Sequence, residues 1–273
     1  MNSPKEIAEN YLKIAKSKAE LSFLKTLLLA VLAGLFIAFA GVASSAAAVT
    51  IENPSIAKLV SACVFPAGLS MVVIAGSELF TGNNLLIIGV LQKEIKLRQM
   101  IRNLIIVYIG NFIGSVITAA IVFFGGTYSS FGNQLAVSAI KTAVSKSSLD
   151  FGKAIILGIA CNFLVCIAVW MSFAAKTAGG KIACVFFPIM AFVVSGFEHS
   201  VANMYYLAAG LLAKTDSVYL SAAANAGVNA ENLTAVRALV NNLLPVTIGN
   251  MIGGMVLVGV FYWFIYLKNK EIK

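Results

Sequence analysis

The chain has 273 residues, 60% of them hydrophobic and only 11% charged, with a formal net charge of +9. Soluble domains carry about 25% charged residues, so the deficit excludes an ordinary water-soluble fold and points to lipid as the solvent. The basic excess does not mark a nucleic-acid binder, because the lysines and arginines fall in short segments between long apolar runs rather than in one patch.

Residues 1–21 read as an amphipathic helix. Ser3-Pro4-Lys5-Glu6 has capping-box spacing with proline at the first helical position, and Ile7, Tyr11 and Ile14 share a face among lysines. The expected resting place of such a helix is the cytoplasmic membrane surface. With Glu6, Glu9 and Glu20 it is too long and too acidic for a signal n-region.

Residues 22–267 form the membrane domain, with apolar runs at roughly 22–49, 57–91, 102–126, 152–175, 182–212 and 242–267. Each is near or above the ~20 residues that cross a bilayer as a helix. Residues 268–273 follow as a short tail. Six spans put both termini on one side, and placing them inside gives the cytoplasmic segments 14 of the 20 basic residues. That bias sets the orientation and predicts a multi-pass protein of an inner or plasma membrane with cytoplasmic termini.

The second and fifth runs are too long for one straight crossing and carry polar patches at mid-depth, Gly76-Ser77-Glu78 to Asn84 and Ser195-Gly196-Phe197-Glu198-His199-Ser200. An ionisable side chain in a lipid-facing helix costs about 2.5 kcal/mol or more. Glycines beside polar groups instead predict interrupted helices whose exposed backbone lines a cavity. Glu78, Asn83, Glu198 and Asn203 mark the breaks, and the two glutamates are expected to brace them by taking up freed backbone N–H groups.

An internal repeat supports the same organisation. Gly76-x-Glu78-x-x-x-x-Asn83 recurs as Gly196-x-Glu198-x-x-x-x-Asn203, and the segment from Asn103 to Gly114 matches that from Asn242 to Gly253 at eight of twelve positions. Three spans per copy is an odd number, so the copies enter the membrane in opposite directions, an architecture of pores and transporters. The predicted fold is an all-α integral membrane protein of two inverted three-helix repeats. Gly110-x-x-x-Gly114 and Gly249-x-x-x-Gly253 suit close helix contact.

Four cysteines, Cys63, Cys161, Cys166 and Cys184, lie inside apolar runs without metal-ligand spacing and read as packing residues. No metal or cofactor is expected. Glu198-His199 has no second histidine to complete a His-Glu-x-x-His metalloprotease helix, so an enzyme is not indicated.

At Glu78-Leu79-Phe80-Thr81 and Gly196-Phe197-Glu198-His199-Ser200-x-Ala202-Asn203 the sequence resembles the formate/nitrite transporter family. The segments Asn162 to Ser172 and Pro245 to Asn250 extend the match, which runs from about residue 20 to 267. The resemblance implies an aquaporin-like helix arrangement, a homopentamer with one pore per protomer, and formate, nitrite, hydrosulfide or a related weak-acid anion as substrate. The compact chain with a short lysine-rich tail also resembles the hydrosulfide-channel branch, and no residue selects one of these anions over the others. By position, the resemblance puts Thr81, Asn162 and His199 in a central chamber and Lys146 in an outer vestibule. It assigns Phe65, Leu69, Leu79, Val165 and Phe192 to two apolar constrictions. A neutral-solute pore of the aquaporin type is the alternative, but its paired Asn-Pro-Ala signatures are absent.

Overall fold

The computed structural model describes residues 1–268; Lys270 and Lys273, with the rest of the expected tail beyond residue 268, lie outside the described residues. Among the described residues every regular element is helical. The first is α1 (Pro4–Glu20), where Ser3 Oγ accepts from the Glu6 N–H and Glu6 Oε2 accepts from the Ser3 N–H at 2.6 Å, closing the expected capping box. Its apolar face packs on protein: Ile7, Ala8, Tyr11, Ala15 and Ala19 are buried against the body of the molecule, with the Tyr11 ring 5.7 Å from that of Phe173.

The spans follow in the expected order. They are α2 (Phe23–Ala48), the broken pair α3 (Pro54–Gly76) and α4 (Phe80–Leu91), and α5 (Leu97–Phe124). The second half begins with α6 (Gln134–Ser147), a helix outside the six apolar runs. It continues with α7 (Phe151–Ser172), the broken pair α8 (Ala178–Ser195) and α9 (Ser200–Ala213), the short α10 (Ser217–Asn225) and α11 (Ala235–Tyr266). Polar residues start the helices by accepting first-turn N–H groups, as Ser22 does before α2, Asn53 before α3, Asp150 before α7 and Thr177 before α8.

The repeat unit is larger than three spans. Lys18 on α1 and Lys146 on α6 each lie four residues before an N-cap, Ser22 and Asp150 respectively, so α1 and α6 are the paired first helices of the two copies. Each unit is a short amphipathic helix, a span, a broken span and a closing span. Large apolar side chains such as Phe124, Ile156 and Phe187 point outward from the spans.

Glycines set the distance between first and last spans of each unit. The Cα of Gly114 in α5 faces the backbone of Val31 and Gly34 in α2, and Gly253 in α11 faces Ile159 in α7. An added methyl at either would strike the carbonyl of Val31 or Ile159. α11 also widens into π-helical turns over Ile252–Val260, so that Gly254 fits against Asn162 and Cys166. Gly114→Ala and Gly253→Ala should each lower the thermal midpoint of detergent-purified protein, at a cost of about 2 kcal/mol from overpacking. Gly179→Ala, where nothing lies within 4 Å of the added atom, should leave it unchanged.

Candidate functional site

Both broken spans stop in the same way. α3 ends at Gly76 (φ +78°) and α8 at Gly196 (φ +73°), left-handed positions that glycine adopts without a Cβ penalty. The next residue closes each end: the Ser77 N–H donates to the Val72 carbonyl at 3.0 Å and the Phe197 N–H to the Phe192 carbonyl at 3.1 Å. The chain then runs extended until α4 and α9 begin.

Backbone groups freed there are taken up by asparagines from the closing spans. Asn111 Oδ1 accepts from the Phe80 N–H (2.9 Å), and its Nδ2 donates to the carbonyls of Ala30 (2.7 Å) and Glu78 (2.9 Å). Asn250 repeats the pattern with the Ser200 N–H (2.9 Å), Gly158 (2.8 Å) and Glu198 (3.0 Å). The Glu78 and Glu198 N–H groups reach the first spans at Leu29 (3.2 Å) and Leu157 (3.3 Å). These asparagines are visible in the repeated Ile-Gly-Asn-x-Ile-Gly, which marks the duplication and close helix contact but not the backbone groups the amides take up.

The two glutamates do something other than expected: their carboxylates bind side chains, not freed N–H groups. Glu78 meets Lys18 Nζ at 2.6 Å and Asn83 Nδ2 at 2.6 Å, and Asn83 Nδ2 also reaches Asn103 Oδ1 at 2.8 Å. Glu198 meets Lys146 Nζ at 2.9 and 3.0 Å and Asn203 Nδ2 at 2.6 Å, with Asn203 bonded to Asn242 Oδ1 at 2.7 Å. Each cluster ties the amphipathic helix, the break and the closing span together. Lys146 thus has its charge already shared by Glu198, while Lys58 and Lys141, which line the same cavity as Lys146, make no ion pair among the described residues. Lys18 was legible as the counterpart of Lys146 only once α6 was known to be a helix.

His199 is the N-cap of α9. Its Nδ1 accepts from the Ala202 N–H at 3.0 Å, which assigns the proton of the neutral ring to Nε2. Nε2 lies 2.9 Å from Thr81 Oγ1 in the first turn of α4. The Nε2–H therefore donates to Thr81, and the threonine hydroxyl keeps its own hydrogen to donate onward. Asn162 sits behind this pair, fully buried, its Nδ2 bonded to the carbonyls of Thr81 (3.2 Å) and Asn250 (2.7 Å). Cys166, read as packing, also donates to the Thr81 carbonyl at 3.3 Å.

Two cavities approach this point from opposite ends of α2. One, about 580 Å³, reaches past Ser45, Lys58 and Lys146 to Phe65, Phe192 and His199. The other, about 450 Å³, reaches past Lys18, Lys25 and Lys181 to Leu69, Leu79 and Gly82. The Phe65 and Phe192 rings meet edge to face at 5.8 Å, and Phe192 stacks on the His199 ring at 5.8 Å. Phe65 and Leu69 are one helical turn apart, about 6 Å along the axis, so a short apolar stretch separates the cavities. Val165 is buried in the same hydrophobic cluster as these four side chains.

Because Asn250 answers the Ser200 N–H and the Glu198 carbonyl at the break, Asn250→Leu leaves both buried without that partner. The expected result is a loss of about 3 kcal/mol or more, seen as a large fall in thermal midpoint, with Asn111→Leu behaving alike.

Comparison with known proteins agrees with this architecture. The profile of the formate/nitrite transporter family matches residues 5–264. The formate channel FocA of Escherichia coli K12 is 36% identical over 252 residues, covering 91% of this chain and 88% of that protein. A probable formate transporter of Methanothermobacter thermautotrophicus is 35% identical, with 98% of both chains covered. A solved pentameric formate channel with formate bound superposes with a TM-score of 0.80 at 36% identity, over 90% of this chain and 98% of the other. The relatives are channels and transporters, not enzymes, and this chain is a membrane-spanning member of the formate/nitrite transporter family.

Proposed function

We propose that the chain is a channel for a small monovalent weak-acid anion, with formate as the first substrate to test and hydrosulfide and nitrite as rivals. The observation that carries this reading is the Thr81–His199 pair, 2.9 Å apart where two half-helices meet between apolar walls. An unpaired charge crosses such walls at high cost. The pair lowers that cost by offering a donor to the anion at mid-depth: the Thr81 hydroxyl donates outward while it accepts from His199 Nε2–H. The N-termini of α4 and α9 add positive potential at the same place.

Phe65 and Phe192 form the constriction next to Lys146, and Leu69 and Leu79 form the other, with Val165 packing between. Lys146, Lys58 and Lys141 draw anions to the first cavity, and Lys18, Lys25 and Lys181 to the second. The names of the relatives favour formate over the hydrosulfide reading. The same relatives support a homopentamer with one pore per protomer, and the lysine distribution supports cytoplasmic termini.

Flux of formate, hydrosulfide, nitrite, chloride and glycerol into proteoliposomes across pH tests the reading. One weak-acid anion should pass and glycerol should not; glycerol flux alone would overturn it. His199→Asn should preserve the helix cap and the fold but remove the Nε2 donor. Anion flux should then fall about tenfold, the worth of the one neutral hydrogen bond that Thr81 loses. Unchanged flux and pH profile would refute the central role of His199.

A further inference from the structure

The first cavity, about 580 Å³, has the size of a small-ligand site, more than one formate ion would fill. Its charge is one-sided. Three lysines, Lys58, Lys141 and Lys146, line it with a single acid, Glu198, a net of two positive charges with His199 neutral. Lys146 Nζ meets the Glu198 carboxylate at 2.9 and 3.0 Å. The two unmatched charges are therefore those of Lys58 and Lys141, which make no ion pair among the described residues. Lys58 reaches from α3 to the second break: its Nζ lies 4.0 Å from the position a Cβ would take on Gly196.

Uncharged donors beside these lysines come from α6. Gln134, Ser138, Lys141 and Thr142 are spaced i, i+4, i+7 and i+8, so they share one helix face, and all four line the cavity. Among the described residues none of these four side chains has a hydrogen-bond partner in the protein. A polar face that merely meets water is the ordinary explanation, and the other repeat argues against it. Pairing Lys146 with Lys18 puts Glu6, Asn10, Lys13 and Ile14 at the same places, and only Ile14 lines the second cavity. That cavity has Lys25 and Lys181 beside the paired Lys18, but no such row of donors. α1 leaves its polar residues exposed outside its cavity, whereas α6 turns them in.

We propose that the first cavity binds a divalent oxyanion from solution, of the sulfate or hydrogenphosphate class, and that its occupancy closes the pore. The two unmatched ammonium groups answer its two charges, and the α6 amide and hydroxyls donate to its remaining oxygens. A monovalent ion leaves one cation unanswered and is held less tightly, since charge-assisted bonds are the strong ones. Passage stops at this point. The Born cost of desolvation grows as the square of the charge, so a divalent ion meets roughly four times the penalty of a monovalent one. It meets that penalty at Phe65 and Phe192, whose rings touch edge to face at 5.8 Å. The oxyanion thus occupies the entrance without crossing it. The closure rests on the reading of this cavity as a pore entrance; the binding does not.

The test uses the full-length assembled protein, in detergent for titration calorimetry and in phosphatidylcholine vesicles for flux. Sulfate is the probe because it stays divalent across the assay pH. At constant ionic strength it should bind one site per chain and, present on both sides, block formate flux; chloride should do neither. Lys58→Gln and Lys141→Gln should each weaken binding and block about tenfold, the low end for a hydrogen bond to a charged group because both lysines are exposed. Lys58→Arg, which keeps the charge, should bind as the parent does, and Lys181→Gln in the second cavity should leave the sulfate affinity unchanged. No saturable sulfate binding, or binding that survives loss of both the Lys58 and Lys141 charges, overturns the site. Binding without block overturns the closure. If the double variant does not fold, the two single variants decide. Should sulfate bind through Lys58 and Lys141 while the vesicles pass no weak-acid anion, the pore reading fails and the binding site stands.

Discussion

Glu78 and Glu198 put two carboxylates into a low-dielectric interior, and each is tolerable there because a lysine ammonium and an asparagine amide meet it at hydrogen-bond distance. Removing ions from water costs several kcal/mol apiece, repaid only when geometry is good and the remaining lone pairs are matched. That condition is met twice, and meeting it fixes three helices in each repeat relative to one another. Deleting a single partner of such a pair typically costs about 3–5 kcal/mol. The breaks are consequently stiff, and the half-helix ends they present to the pore stay in register.

Holding the breaks leaves the pore itself free to be mostly apolar. Leu79 and His199 occupy the same position in the two repeats, one residue past the glutamate, and Thr81 pairs with Val201. The inverted symmetry therefore builds a symmetrical frame, and the two halves depart from it beside the breaks: an imidazole stands opposite a leucine and a hydroxyl opposite a valine. Capping of α9 by His199 Nδ1 ties the ring's tautomer to the start of a helix, so the chemistry of the ring and the geometry of the break are one constraint.

Much of this was legible in the sequence. Hydropathy located all six spans because a bilayer imposes a length that no tertiary contact can waive, although the last begins at Ala235 rather than 242 and the third at Leu97 rather than 102. Glycine beside glutamate in the middle of an apolar run disclosed both breaks, since an intact helix there would carry a charge into lipid. The repeated Gly-x-Glu-x-x-x-x-Asn disclosed the inversion. The packing of α1 was not legible: a stripe of Ile7, Tyr11 and Ile14 among lysines has the same pattern whether it meets headgroups or a protein surface. Its counterpart α6 has less regular apolar spacing and too short a run to be disclosed by hydropathy, although it begins the second repeat.

The sequence by itself determined the solvent, the number of crossings, the breaks and the duplication, because each follows from local composition and spacing. Only the tertiary structure decided which partner each buried polar group takes. Nothing local tells Glu78 that its counter-ion is Lys18, 60 residues earlier, or Glu198 that its own is Lys146, 52 residues earlier. The same holds for the Asn111 and Asn250 amides. Pairing of buried polar groups is a three-dimensional matching problem between distant segments, and it is solved only when the helices have packed.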